Sequence, residues 1–197
     1  MRIISGEARG RKLRTLDVPH LRPMLDRVRV ALFSIIRERI PGARVLDLFS
    51  GCGALGIETL SRGAERCLFV EHDPKLVKLI EQNLEMCRMT ERAATLRMDF
   101  LFLANRRPPA GFECASLVFA DPPYAMVEDP NVRAELLAGI ERLIGQWIAP
   151  GATVMLHHKP APYMLWPTKR LRCFDRRVYG NSQITLFQVE EAAGGKA

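Results

Sequence analysis

Apolar and polar positions change rhythm at Arg44, where short, almost unbroken apolar runs begin to alternate with segments at helical spacing. The runs predict strands over 44–49, 66–71, 94–98, 116–120 and 152–157. The segments between them predict helices over 54–62, 74–87 and 130–147, each ended or followed by Gly, Pro or a polar break. Strands apolar at successive positions are covered on both faces, so the pattern implies an α/β fold with a mostly parallel central sheet. Around Gly180-Asn181 the segments 171–178 and 182–189 read as an antiparallel hairpin that closes this sheet. Upstream, Val28, Leu32, Ile35 and Ile36 form one face of a helix that runs from Asp26, its expected N-cap, to about Arg39 before Pro41-Gly42 stops it. The stretch from Arg2 to Leu16 mixes β-prone pieces with Gly6 and Gly10, and reads as a small hairpin-like arm unable to fold without support. The expected organisation is a basic arm over 1–25, an α/β domain over 26–190 and a frayed tail over 191–197.

Charge adds a direction to this outline. Residues 1–44 hold eleven Lys or Arg against four Asp or Glu, and the remaining residues hold eighteen of each, so the whole net charge of +7 resides at the N-terminal end. Such a face suits a polyanion, because neutralised phosphates release counterions; a solvated charged surface is the bland alternative. The five cysteines are odd in number and widely spread, without a CxxC pair, and read as reduced, mostly buried residues of a cytoplasmic protein. No metal site is expected. No apolar run approaches the length of a bilayer span, and the start lacks a signal-peptide core, so a soluble, unexported protein is expected, a monomer by default.

The chemistry concentrates after three of the strands. Val45-Leu46-Asp47-Leu48-Phe49-Ser50 runs into Gly51-Cys52-Gly53-Ala54-Leu55-Gly56, a G-x-G-x-x-G between strand and helix. Gly51 and Gly53 let a ligand approach the backbone, and Glu71, twenty residues after Gly51, is placed to accept from ribose hydroxyls. Close strand–helix packing is the structural alternative for these glycines. Asp47 favours a cationic cofactor: a carboxylate there can face the ammonium group of S-adenosyl-L-methionine, whereas beside a dinucleotide pyrophosphate it would be repulsive. Asp99 is a partner for an adenine amine with Phe100 packing the ring, though the pair reads equally well as a helix cap and a core residue.

At the end of the fourth strand stands Asp121-Pro122-Pro123-Tyr124. The prolines remove backbone donors and fix φ, so Asp121 and the Pro122 carbonyl can accept both hydrogens of an amine and aim its lone pair at a methyl donor. Tyr124 offers a ring on which an unstacked base can rest. An ordinary turn is the alternative. His157 and His158, beyond the fifth strand, read as solvated or capping residues.

These segments resemble the RsmD family, the bacterial 16S rRNA (guanine-N2) methyltransferases. The resemblance covers nearly the whole chain and rests on Arg9-Gly10-Arg11-Lys12-Leu13, Leu21-Arg22-Pro23, Asp26-Arg27-Val28-Arg29, the glycine segment from Leu46 to Gly56, Phe69-Val70-Glu71, Asp121-Pro122-Pro123-Tyr124 and Tyr179-Gly180. Met24-Leu25 and Val30 depart from the family pattern. The resemblance implies a Rossmann-like class I methyltransferase fold over 26–190, S-adenosyl-L-methionine as donor, and a guanine N2 of 16S rRNA in the 30S subunit or an assembly intermediate as acceptor. It implies Asp47, Gly51, Gly53, Glu71 and Asp99 along the cofactor and 121–124 at the amine. Arg9, Arg11, Lys12, Arg22, Arg27 and Arg29 are the expected RNA contacts. Rival readings are an adenine-N6 DNA methyltransferase, a protein glutamine methyltransferase, an NAD-dependent enzyme, and a non-enzymatic RNA-binding assembly factor.

Overall fold

The structure is a computed structural model that describes residues 1–16, 24–161 and 168–191. Five parallel strands, β1 (Arg44–Asp47), β2 (Arg66–Glu71), β3 (Ala93–Arg97), β4 (Ala115–Ala120) and β5 (Ile148–His158), are joined by an antiparallel pair, β6 (Leu171–Tyr179) and β7 (Ser182–Val189). Their order across the sheet is β3-β2-β1-β4-β5-β7-β6. The direction of winding reverses between β1 and β4, and in open α/β sheets such a switch point leaves a crevice at the carboxyl ends of the strands.

Successive strand residues enter opposite cores, which is why the runs read as continuously apolar. Val45, Phe69, Phe119 and Met155 pack with the helices α1 (Asp26–Ile35), α2 (Ala54–Ser61) and α3 (Pro74–Cys87) on one face. Leu46, Val70, Val118 and Leu156 pack on the other face, which is covered by α5 (Pro130–Arg142) and a 3-10 turn over Phe100–Asn105. Each fully buried side chain of this size contributes roughly 1.5–3 kcal/mol relative to exposure. Helices α3 and α5 start alike: Asp73 and Asp129 accept from backbone N–H groups of the first turn, and Pro74 and Pro130 occupy positions where no N–H is needed.

Several element boundaries differ from expectation, among them the start of β5, at Ile148 rather than 152. Asp26 is the first residue of α1 rather than its cap, because its carboxylate is taken by Arg29 at 3.0 Å; Leu25 stands at the cap without a side-chain bond. That helix ends at Ile35 and continues only as a 3-10 turn over Arg37–Arg39. The helix expected over 130–147 stops at Arg142, since Gly145 takes φ +95° and turns the chain back toward β5. A short helix, α4 (Tyr124–Glu128), precedes it.

The N-terminal stretch is docked on the domain. Arg2 and Lys12 pair as an antiparallel bridge, and Ile3, Ala8 and Leu13 enter the core beside α1 to α3. The fully buried Glu58 of α2 accepts from the N–H groups of Ile4 (2.7 Å) and Ser5 (3.0 Å), and Ser61 Oγ accepts from Ala8 (3.0 Å). Arg9, Arg11, Lys12 and Arg27 remain exposed. Arg22 and the residues 192–197 of the expected tail lie outside the described residues.

Candidate active site

Asp47 ends β1 and is 1% exposed. Its Oδ2 accepts from the Gly56 N–H at 3.2 Å, in the first turn of α2, while Oδ1 is buried with no partner. Burial, reinforced by the nearby carboxylates of Asp121 and Glu71, pushes its carboxyl up to about 8 even though the Gly56 bond favours the charged form. The turn between β1 and α2 is built on glycine: Gly53, at the N-cap of α2, has φ +81°, and Gly51 has φ +55°. Gly56 serves close packing, since a Cβ there would stand 2.2 Å from the Phe69 ring and 2.6 Å from Cys67 Sγ. Cys52, inside the turn, is buried and its thiol pKa is raised by that burial, which leaves it a packing residue.

Glu71 ends the neighbouring strand β2 and holds the loops around it. Its Oε2 accepts from the Gly51 N–H at 3.0 Å, and Oε1 accepts from the N–H groups of His72 (2.8 Å) and Asp73 (3.0 Å). Oε2 keeps a second acceptor position for a ribose hydroxyl. Asp99 caps the 3-10 turn by accepting from Leu101 N–H at 3.0 Å. Phe100 corrects the expectation of a ring packed on a ligand: it is 3% exposed, tilted against Phe49 at 4.9 Å, and rests beside Gly139 of α5, so the core claims its faces.

Asp121 follows β4, across the switch point from Asp47, and the two carboxylates are close enough to repel. Pro122 is buried, Pro123 is exposed at the start of α4, and Tyr124 is half-buried. Its ring meets that of His157 edge to face at 5.5 Å, and the Lys159 ammonium lies 5.6 Å from its centroid. His157, expected as a solvated or capping residue, lies instead in the interior. In the fold it is 2% exposed, with Nδ1 2.6 Å from Asp121 Oδ1 and Nε2 3.4 Å from the Tyr124 hydroxyl. The signal was its place near the end of β5, the strand beside β4. His158 is buried too: its Nδ1 donates to the Lys159 carbonyl at 2.6 Å and its Nε2 accepts from Thr185 at 2.8 Å, and burial pushes its pKa down to about 4.

Arg29 is a second correction. It is 1% exposed, covered by the N-terminal stretch, and its Nη2 donates to the Arg2 carbonyl at 2.6 Å and to Asp26, while Nε and Nη1 have no partner. It therefore lies in the interior rather than on an exposed phosphate-binding face. Arg27, two residues earlier, is exposed and reaches the Gly180 turn. Among the described residues no group of three or more His, Cys, Asp or Glu is arranged to hold a metal ion. No helix among them is long and apolar enough to cross a membrane.

A family model described as Conserved hypothetical protein 95 matches residues 1–188. The chain belongs to this family, the RsmD family. One curated relative, Ribosomal RNA small subunit methyltransferase D of Escherichia coli strain K12, is 39% identical over 124 residues, which span 63% of this chain and 60% of the relative. The match thus takes in less than two thirds of that protein's length. The solved Escherichia coli protein yhhF superposes with a TM-score of 0.81 at 28% identity, covering 96% of this chain and 98% of that one. An RNA methyltransferase from Salinibacter ruber, solved in complex with S-adenosyl-L-homocysteine, shares the fold at a TM-score of 0.60 and 18% identity, covering 88% of this chain and 97% of that one. Against this RsmD-family background the seven-stranded sheet is the expected α/β methyltransferase architecture, parallel with an antiparallel end.

Proposed function

We propose that this chain transfers the methyl group of S-adenosyl-L-methionine to an exocyclic amine of ribosomal RNA, the N2 of a guanine in the 16S rRNA of the small subunit. One observation carries the reading: a buried carboxylate oxygen without a partner, Asp47 Oδ1, at the end of β1, with the carboxylates of Glu71 and Asp121 nearby. Burial and the neighbouring Asp121 and Glu71 hold the Asp47 carboxyl protonated until a cation beside it favours the ionised form, and the donor is cationic at both its ammonium and its sulfonium. The donor set fits: Asp47 for the ammonium, Glu71 for the ribose hydroxyls, and the backbone of the Gly51–Gly53 turn for close approach. The name of the Escherichia coli relative and the ligand of the Salinibacter ruber neighbour support the same reading.

When bound, the cofactor supplies a methyl carbon already activated by its sulfonium. The chain's own task is therefore positioning. Asp121 and the Pro122 carbonyl accept the two amine hydrogens and turn the nitrogen lone pair toward the methyl, and Asp121 is the first acceptor for the proton the methylated nitrogen sheds. The Tyr124 ring supports the base once it has left its stack. Arg9, Arg11, Lys12 and Arg27 supply phosphate contacts, with Arg22 a further candidate outside the described residues. The setting is the cytoplasm, on the 30S subunit or an assembly intermediate.

The test is transfer of labelled methyl from S-adenosyl-L-methionine to small subunits and naked 16S rRNA lacking the modification, followed by nucleoside analysis. Label recovered as N2-methylguanosine supports the proposal. Label in DNA or protein, or none in RNA despite cofactor binding, overturns it.

A further inference from the structure

We propose that His157 is a positioning residue for this reaction: pinned between Asp121 and Tyr124, it selects which carboxylate oxygen of Asp121 meets the acceptor amine. The inference rests on the role given to Asp121 above and adds a residue that the motif does not contain.

Asp121 lies just beyond β4, with its side chain 20% exposed. A carboxylate so placed can turn about its own axis, and each rotation would move the acceptor lone pair. The 2.6 Å contact removes that freedom. A carboxylate only accepts, so the proton of this bond sits on Nδ1 of His157, and Oδ1 is committed to it. Oδ2, which keeps both of its acceptor positions where Oδ1 keeps one, is then the oxygen assigned to the amine. The imidazole is itself fixed: it belongs to β5, is almost fully buried, and meets the Tyr124 hydroxyl with its other nitrogen, while that hydroxyl lies 3.3 Å from Ser182 Oγ on β7. Four side chains from four elements thus set the distance between the amine acceptor and the aromatic platform. Neither residue of the motif could fix that spacing alone, because Asp121 and Tyr124 are linked through His157 and not by a side-chain hydrogen bond of their own.

The donor role can be separated from a structural one by two polar substitutions of opposite geometry. In His157→Asn the amide nitrogen falls where Nδ1 stands, so the bond to Asp121 is kept and that to Tyr124 is lost. In His157→Gln the amide reaches the Nε2 position, so the Tyr124 side is kept and the Asp121 bond is lost. The expected single-turnover methyl-transfer rate of the Asn variant is within about threefold of wild type, and that of the Gln variant is lower by about tenfold to a hundredfold, the loss expected for a small misplacement of a reacting group. Cofactor dissociation constants stay within about twofold in both, since His157 touches none of the proposed cofactor residues. Equal rates in the two variants, or a slower Asn than Gln variant, overturn the proposal. Failure of the wild type to transfer label to any rRNA would instead sink the proposed function, and the pairing would still be decided by nitrogen NMR of the imidazole. A proton on Nδ1 that is lost in Asp121→Ala supports the pairing, and a neutral ring protonated at Nε2 overturns it.

Discussion

The side-chain amide of Asn83 on α3 pairs with both backbone polar groups of Arg14 in the N-terminal stretch: its oxygen accepts from the Arg14 N–H at 2.9 Å and its nitrogen donates to the Arg14 carbonyl at 3.1 Å. The same nitrogen donates to the Cys52 carbonyl in the glycine turn at 2.9 Å. One fully buried amide thus ties the basic arm to the loop proposed to receive the cofactor. Asn83→Ala is expected to destabilise the protein by about 2–3 kcal/mol, the loss for several buried hydrogen bonds left without a partner. Urea unfolding measures it, and unchanged stability would mean that water replaces the clasp without penalty.

Asp47 makes a pH-dependent contribution of unusual sign. Its carboxyl titrates at about 8 in the fold and in the ordinary carboxylate range when unfolded, so between about pH 4 and 8 the unfolded chain has given up this proton and the folded one has not. Its contribution to stability is full below pH 4 and declines up to pH 8. The ligand-free Asp47→Asn variant should therefore melt above wild type by a margin that grows from pH 5 to pH 8, while losing at least tenfold in affinity for S-adenosyl-L-methionine. A margin independent of pH, read by thermal unfolding, would show that Asp47 is ionised in the free protein.

His158 works in the opposite direction. It is held neutral, with a pKa of about 4 against 6.5 when unfolded, so the unfolded chain binds the proton first as pH falls. Its contribution is intact above pH 6.5 and is lost toward pH 4. In His158→Gln the difference in melting temperature from wild type should shrink as pH drops through this window. Comparing variant with wild type at each pH removes the overlapping effect of Asp47.

The exposed arm residues offer a test that does not disturb its anchoring. Arg9 and Lys12 make none of the contacts to Glu58 and Ser61 that dock the arm, whereas Arg11 also bonds the Met86 carbonyl. Arg9→Ala with Lys12→Ala should weaken rRNA binding and reduce the magnitude of its salt-dependence slope by roughly 1.4–1.8, for two phosphates released. Cofactor affinity should be unchanged. Binding assays across a salt series decide it, and an unaltered slope would remove these residues from the interface.

The central strands β1, β2, β4 and β5 were legible because each is buried on both faces over most of its length, and the glycine turn because its spacing is dictated by backbone geometry. What escaped the sequence depends on contacts between distant segments. Arg29 reads as surface charge from helical spacing alone, yet the N-terminal stretch folds over it and supplies the Arg2 carbonyl. Phe100 is indistinguishable from a ligand-facing ring until α5 brings Gly139 against it. His157 carried no local motif; its role is set by the register that places β5 beside β4, with Leu156 level with Ala120. The short helix α4 was hidden by the two prolines that precede it, which end a strand and begin a helix in the same few residues.

The position of β7 has a consequence for the order in which the chain can be assembled. This strand is the seventh in sequence among the described residues but the sixth in the sheet, lying between β5 and β6 and hydrogen-bonded to both. A nascent chain that has reached residue 181 has every residue of the glycine turn and of Asp121–Tyr124, yet β6 has no neighbour to pair with and β5 presents a bare edge. The Tyr124 hydroxyl also waits for Ser182, the first residue of β7. Completion of this seven-stranded sheet and completion of the proposed amine-binding corner are thus one event, delayed until β7 is synthesised and slides between two strands made before it.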